Sequence, residues 1–195
     1  METSIINHNK QPTAYLELIL GPMFSGKTSR LLEIYKQCTF CNIPVAVINH
    51  SSDTRYDSND ILSTHDQKKI PCFSFTLLSG IVSHPKISTQ QVILINEGQF
   101  FEDLVPVVQI LLRQGKKIYI AGLDGDFERK KFGSILDLIP LCDKVSKLTS
   151  LCSQCRDGTP GIFSMRLTHE KQQTLVGSDN YIPVCRNCYN KPVSP

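Results

Sequence analysis

Residues 21–28, Gly-Pro-Met-Phe-Ser-Gly-Lys-Thr, constrain this chain more than any other stretch. They follow the pattern G-x-x-x-x-G-K-[ST], in which glycines let the backbone curl until successive N–H groups point inward at phosphate oxygens. Lys27 brings a mobile positive charge to the β- and γ-phosphates, and the Thr28 hydroxyl is suited to ligate Mg2+. The apolar run Leu16, Leu18, Ile19 and Leu20 before the loop reads as a buried strand, and residues 30–36 after it have helical character. The N-terminus of that helix adds its positive dipole end to the same place. Every residue of the loop, Gly21, Pro22, Met23, Phe24, Ser25, Gly26, Lys27 and Thr28, is therefore a candidate for holding a nucleotide.

Downstream, short apolar runs alternate with helical stretches. Strands are expected at 15–20, 44–48, 92–95, 117–121 and 145–151, and helices at 27–39 and 104–114, the latter stopped by Gly115 as a C-cap. This alternation implies an α/β fold, a mostly parallel sheet flanked by helices, with ligands at the carboxyl ends of the strands. Gly21, Asn96, Glu97 and Leu123 fall at those ends. Residues 50–70, polar and punctuated, read as an extended, mobile surface loop. The expected division is a flexible arm (1–14), a P-loop nucleotide-binding domain (15–149), a small zinc-binding domain (150–190) and a tail (191–195).

A chain of 195 residues that is 41% hydrophobic has enough apolar surface for one core and a small appendage. A net charge of +3 without a dense basic block gives no argument for nucleic acid as a partner. No apolar run approaches the ~20 residues of a membrane span. The polar N-terminus lacks a signal-peptide core, so a cytoplasmic location is expected. Eight cysteines in that setting argue for metal binding or buried thiols over disulfides.

Four of them form two C-x-x-C pairs, Cys152/Cys155 and Cys185/Cys188. Each pair can present two thiolates from one tight turn, and two such turns close a tetrahedral zinc site with four cysteine ligands. Four thiolates leave no open position, so the metal is expected to be structural. The separation of the pairs exceeds that of common zinc ribbons, but a loop joining two hairpins can span it. Cys38 and Cys41 make a third pair at the end of the first helix and read as buried or incidental thiols. Cys72 and Cys142 are isolated and read as core residues.

A carboxylate just past a buried strand, here Glu97, can face a γ-phosphate and act as general base for a hydroxyl nucleophile. A solvated loop carboxylate is the plainer reading of the same residue. Phe100, Phe101 and Phe127 offer flat walls on which a base can stack.

The phosphate loop together with Asp53-Thr54-Arg55-Tyr56, Glu97-Gly98-Gln99-Phe100-Phe101, Leu123-Asp124-Gly125, Lys131-Phe132-Gly133 and the two C-x-x-C pairs resembles the thymidine kinases of the cellular and poxviral type. The resemblance runs from about residue 18 to 189, with every motif in family order. It implies transfer of the γ-phosphate of ATP to the 5′-hydroxyl of thymidine, with Mg2+, a structural Zn2+ and a lasso loop that closes over the nucleoside. It further implies a cytosolic homotetramer. By position, Glu97 is the implied base, while Asp53, Thr54, Arg55, Asn96 and Gln99 join the phosphate loop on the nucleotide side. Phe127 is implied to stack on thymine, with Met23, Leu123 and Phe100 lining the pocket and Ser164 beside the thymine methyl. Gln172, Gln173, Thr174, Leu175 and Val176 correspond to lasso backbone on the pyrimidine edge, and Tyr181 closes the sugar end.

Two positions depart from the family. Asn96 stands where an Asp normally helps hold Mg2+ through water, so weaker binding of the cation is expected. The lasso carries Gln172, Gln173 and Thr174 in place of a more apolar stretch, and Pro183 precedes the last cysteine pair. Two rival readings remain. One is a P-loop ATPase with a nucleic-acid-binding zinc ribbon, which the near balance of Arg156, Arg166, Lys171 and Arg186 against Asp157, Glu170 and Asp179 disfavours. The other is an inactive kinase-like binding protein.

Overall fold

The computed structural model describes residues 13–51, 61–63, 69–173 and 178–191. The expected arm and tail therefore lie almost wholly outside the described residues. The chain starts with β1 (Tyr15–Leu20), α1 (Lys27–Phe40) and β2 (Val45–His50), followed by β3 (Ile61–Ser63), β4 (Lys69–Pro71) and β5 (Phe73–Phe75). Two short helices, α2 (Ser79–Val82) and α3 (Pro85–Ser88), lead to β6 (Val92–Ile95), α4 (Leu104–Arg113) and β7 (Lys117–Gly122). A 3-10 stretch, Ile135–Leu141, precedes β8 (Lys144–Lys147), β9 (Ser150–Leu151) and β10 (Pro160–Gly161). Then come β11 (Phe163–Arg166), β12 (Tyr181–Val184) and α5 (Arg186–Asn190).

Six strands form one sheet in the order β5-β2-β6-β7-β1-β8, and every pairing in it is parallel. All their carboxyl ends therefore face the same way. Both faces of the sheet are covered, which is why its strands read as nearly continuous apolar runs. On one face Leu16, Leu18, Leu20, Ile93, Ile95, Ile118 and Ile120 pack against Leu104, Val107, Val108 and Leu111 of α4. On the other, Ile19, Val47, Leu94 and Ala121 pack against Leu31, Leu32 and Ile34 of α1. Alternate residues of one strand thus serve opposite layers. Glu17 is buried in β1, accepting hydrogen bonds from Tyr15 and Ser146 (2.7 Å for Ser146) and pairing with Lys144 at 3.3 Å. These contacts help pin β8 to β1.

Gly115, at φ 75°, ends α4 as expected: the Lys116 amide reaches back to the Leu111 carbonyl and the Gly115 amide to that of Leu112. At the end of α1, Asn42 takes the same left-handed role, with Ile43 N–H bonded to the Cys38 carbonyl. Cys38 is buried there and Cys41 exposed. The stretch 50–70 is not all loop, because Ile61–Ser63 and Lys69–Pro71 pair antiparallel and bury Leu62 and Ile70. The strand expected at 145–151 is two strands. The Leu148 amide makes a last bond to the Leu20 carbonyl, after which the chain leaves the main sheet and β9 pairs with β10. Among the described residues no helix is long and apolar enough to cross a membrane.

Candidate active site and zinc centre

The loop after β1 leaves the sheet at its carboxyl edge and enters α1 through Gly26, which caps the helix at φ 83° and ψ 15°. That left-handed conformation is one glycine adopts without strain. Phe24 takes a positive φ of 62° and is partly exposed. Lys27 is largely buried and curls back so that its Nζ donates to the Pro22 carbonyl at 2.6 Å. Among the described residues the Ser25 hydroxyl is buried without a hydrogen-bond partner. A buried orphan hydroxyl inside such a loop fits a group made to face phosphate oxygens.

Residues after β6 come next to this loop. Thr28 Oγ1 lies 3.5 Å from Asn96 Oδ1, and the Asn96 amide group donates to Asn49 Oδ1 at 2.9 Å. Asn49 therefore holds the Asn96 carbonyl oxygen toward Thr28. The donor set is two neutral oxygens, which suits a hard cation that keeps most of its own water. Glu97 follows with φ 53° and ψ 43°, a left-handed conformation uncommon for a residue with a side chain. Its Oε2 accepts from Gln99 Nε2 at 2.7 Å, and Gln99 Oε1 accepts from the Leu123 amide at 3.0 Å. Gln99 is thus turned toward Glu97 and Leu123.

The aromatic residues divide by burial. Phe101 is 1% exposed and belongs to the core, so it is not a wall of the site. Phe100 is half-buried, with ring centroids 5.5 Å from His50 and 5.4 Å from Phe132. One face of the half-buried Phe127 ring is covered by the Arg166 guanidinium, 3.7 Å from the ring centroid.

Arg166 is the residue that sequence reasoning undervalued. It is buried, and it donates to the carbonyls of Glu170, Gln172 and Gln173 and to the Tyr181 hydroxyl. A planar guanidinium with several fixed donors can gather such a loop where a lysine could not. Asp126 adds a second latch, accepting from Gln173 Nε2 at 2.8 Å and from the Glu128 and Lys130 amides. Strand period was the available signal, since residues 164 and 166 of β11 share a face. Ser164 is buried, and its hydroxyl accepts from the Met23 amide at 2.9 Å, joining β11 to the phosphate loop. Asp53, Thr54, Arg55, Thr174, Leu175 and Val176 lie outside the described residues.

The two cysteine pairs meet. Cys152 follows β9 and Cys185 follows β12, and the Ser153 amide bonds to the Pro183 carbonyl at 2.9 Å. The four sulfurs lie within 4.8 Å of one another, with Cys155 at 3.4 Å from Cys188 and 3.7 Å from Cys185. A tetrahedron with Zn–S bonds near 2.3 Å has edges of about 3.8 Å, so the cluster fits structural zinc. Burial works against the Cys152 thiolate, but the amides of Cys155, Cys185 and Gln154 outweigh it and bring the thiol down to about 6. Hydrogen bonds to Cys188, Cys152 and Cys185 push Cys155 up to about 12. Without a metal the raised Cys155 thiol keeps its proton at neutral pH; a divalent cation displaces it. Helix α5, which carries Cys188, also grips the pocket loop: the Tyr189 hydroxyl donates to the Phe127 carbonyl, and Arg129 lies 4.3 Å from the Tyr189 ring centroid and bonds to Asn190.

Comparison with known proteins agrees with this geometry. The family model described as thymidine kinase matches residues 14–189. A thymidine kinase of sheeppox virus is 42% identical over 176 residues, covering 90% of this chain and 96% of the viral protein. Thymidine kinase 1 of Dictyostelium discoideum is 40% identical over 179 residues, covering 90% and 77% of the two chains. The human protein named thymidine kinase, cytosolic, is 38% identical over 181 residues, covering 92% and 74%. With the family pattern extending from the first strand to the last cysteine, the chain belongs to the thymidine kinase family.

Proposed function

We propose that this protein transfers the γ-phosphate of ATP to the 5′-hydroxyl of thymidine, giving thymidine monophosphate and ADP. The observation that carries the reading is the meeting of Thr28, at the end of the phosphate loop, with Asn96, the residue before Glu97. The contact between Thr28 and Asn96 puts the loop beside the residue preceding Glu97, while Gln99 links the Glu97 carboxylate to the Leu123 amide. Glu97 accepts the proton of the 5′-hydroxyl as its oxygen forms the new bond to the γ-phosphorus, and ADP leaves. Lys27 and the loop amides gather the negative charge that spreads over the phosphoryl oxygens. Thymine stacks on the face of Phe127 opposite Arg166, between Met23, Leu123 and Phe100, with Ser164 near its methyl group. Residues 172–176 supply fixed backbone groups to the imide edge, and Tyr181 closes the sugar end. Asp53, Thr54 and Arg55 serve the nucleotide side. A closed lid excludes water, which otherwise competes as acceptor.

Mg2+ supplies charge neutralisation at the phosphates when bound, and Thr28 with Asn96 would hold it, directly or through water. The division into a P-loop domain (15–149) and a zinc-binding domain (150–190), the cytosolic location and a homotetramer belong to the same reading. A nucleic-acid ribbon gains no support, because Arg166 is buried against Phe127 and Arg186 lies 5.2 Å from the Phe163 ring centroid. The test is ADP formation across a panel of nucleosides with ATP. Thymidine-dependent turnover well above that with cytidine, adenosine or guanosine is expected. Hydrolysis stimulated by DNA but not by nucleosides would overturn the reading.

Asn96→Asp restores a charge beside Thr28. Asn49 then has to turn its amide so that Nδ2 faces the new carboxylate. Half-saturating Mg2+ is expected to fall about tenfold, equivalent to about 1.4 kcal/mol. A Mg2+ titration of initial rates that is superimposable on wild type would refute a role for Asn96 in holding the cation.

A further inference from the structure

Gln99 is almost fully buried at 3% exposure, and both ends of its amide are used. Nε2 donates to Glu97 Oε2 at 2.7 Å, and Oε1 accepts from the Leu123 amide at 3.0 Å. The surrounding backbone is shaped to leave it this space. A Cβ on Gly122 would stand 2.6 Å from Gln99 Oε1, and one on Gly133, at φ +58°, only 2.0 Å from the Gln99 carbonyl. The amide thus bridges the turn after β6 to the residue after β7, with no freedom to flip without breaking both bonds. Glu97 has an uncommon backbone conformation, so its carboxylate gains direction from a partner that is itself immobile.

We infer that Gln99 is a positioning residue that locks the Glu97 carboxylate to the Leu123 wall of the acceptor pocket, so that base and bound hydroxyl are held in one frame. The inference rests on the reading of Glu97 as the base. The assignment differs from a nucleotide-binding role for Gln99, because both of its amide ends are committed to the acceptor side. Misplacing a general base by a fraction of an ångström lowers turnover while leaving substrate contacts in place.

The experiment uses the full-length protein and steady-state kinetics with thymidine and ATP. Gln99→Glu keeps the size and the acceptor for the Leu123 amide, but sets an oxygen against the Glu97 carboxylate. Gln99→Met keeps the volume and removes both bonds. Both variants are expected to lose about ten- to a hundredfold in kcat, with KM for thymidine within about twofold of wild type. In a Glu97→Asp background, where the shorter carboxylate falls out of reach, adding Gln99→Met is expected to cost less than about twofold. Equal losses in the two backgrounds, or a raised KM with unchanged kcat, would overturn the inference. So would loss of the folded thermal transition in both single variants, which makes Gln99 a structural bridge only. Full turnover in Glu97→Gln is a separate result that sinks the reading of Glu97 itself.

Discussion

Glu97→Gln is expected to reduce kcat by about a thousandfold, within the usual range for loss of a general base. That corresponds to about 4 kcal/mol of transition-state stabilisation. The substitution keeps the side chain's length, and its amide oxygen can still accept from Gln99 Nε2, so the local geometry of the turn is preserved. What it removes is the capacity to take a proton. The effect should therefore appear in kcat, with KM for thymidine and ATP little changed and the melting temperature within a few degrees of wild type. Kinetics on the folded variant decide the matter. If turnover falls less than about tenfold, the proton leaves by another route and Glu97 is a solvated loop carboxylate after all.

Loss of the zinc cluster is expected to be the other severe change, for a different reason. Among its described residues, the segment from β9 to α5 has a small apolar cluster of its own, built on Val184 and the cysteines, with Phe163, Met165, Ile182 and Tyr189 packed around it. Segments of that size need a metal or equivalent staple, and structural zinc in peptides contributes about 10–16 kcal/mol of apparent binding energy. Cys185→Ser should abolish bound zinc, measured by elemental analysis against about one ion per chain in wild type. It should also remove most activity, since the segment supplies Ser164 to Met23 and Arg166 to Phe127. The six-stranded sheet has its own core on both faces and should keep its secondary structure by circular dichroism. A zinc-free Cys185→Ser protein with wild-type turnover would separate the cluster from the site.

The features legible in the sequence are those whose physics is local. The phosphate loop is one, because curl, charge and hydroxyl all come from eight consecutive residues. The helix ends at Asn42 and Gly115 are governed by nearest neighbours, although only Gly115 stands out as a stop signal in the sequence. The cysteine pairs are legible because each ligating turn is four residues long, and only their meeting needed the fold. Short elements were harder. Phe73–Phe75 joins the edge of the main sheet through three residues, and the β3–β4 pair sits inside a polar stretch. Neither carries enough periodic signal to be distinguished from loop.

Contacts between distant positions were not legible at all. Asp126 and Gln173 are 47 residues apart, and Met23 and Ser164 are 141 apart. Nothing in either residue's neighbourhood announces its partner. The roles of Phe101 and Phe127 could not be separated by composition, since both are phenylalanines just past a strand. Packing sent one into the core and set the other against a buried arginine.

By itself, then, the sequence determined the phosphate loop, the parallel α/β layering, the four cysteines of the candidate zinc cluster and the position of a carboxylate at a strand's end. These follow from backbone conformation and hydrophobic period, which act over a few residues. Only the tertiary structure decided that Gln99 faces Glu97, that Asn49 orients Asn96, and that Arg166 gathers the loop around Phe127. Such directional contacts exist only once the sheet brings the ends of β1, β2, β6 and β7 to one edge. The strands from β9 onward then fold back across that edge.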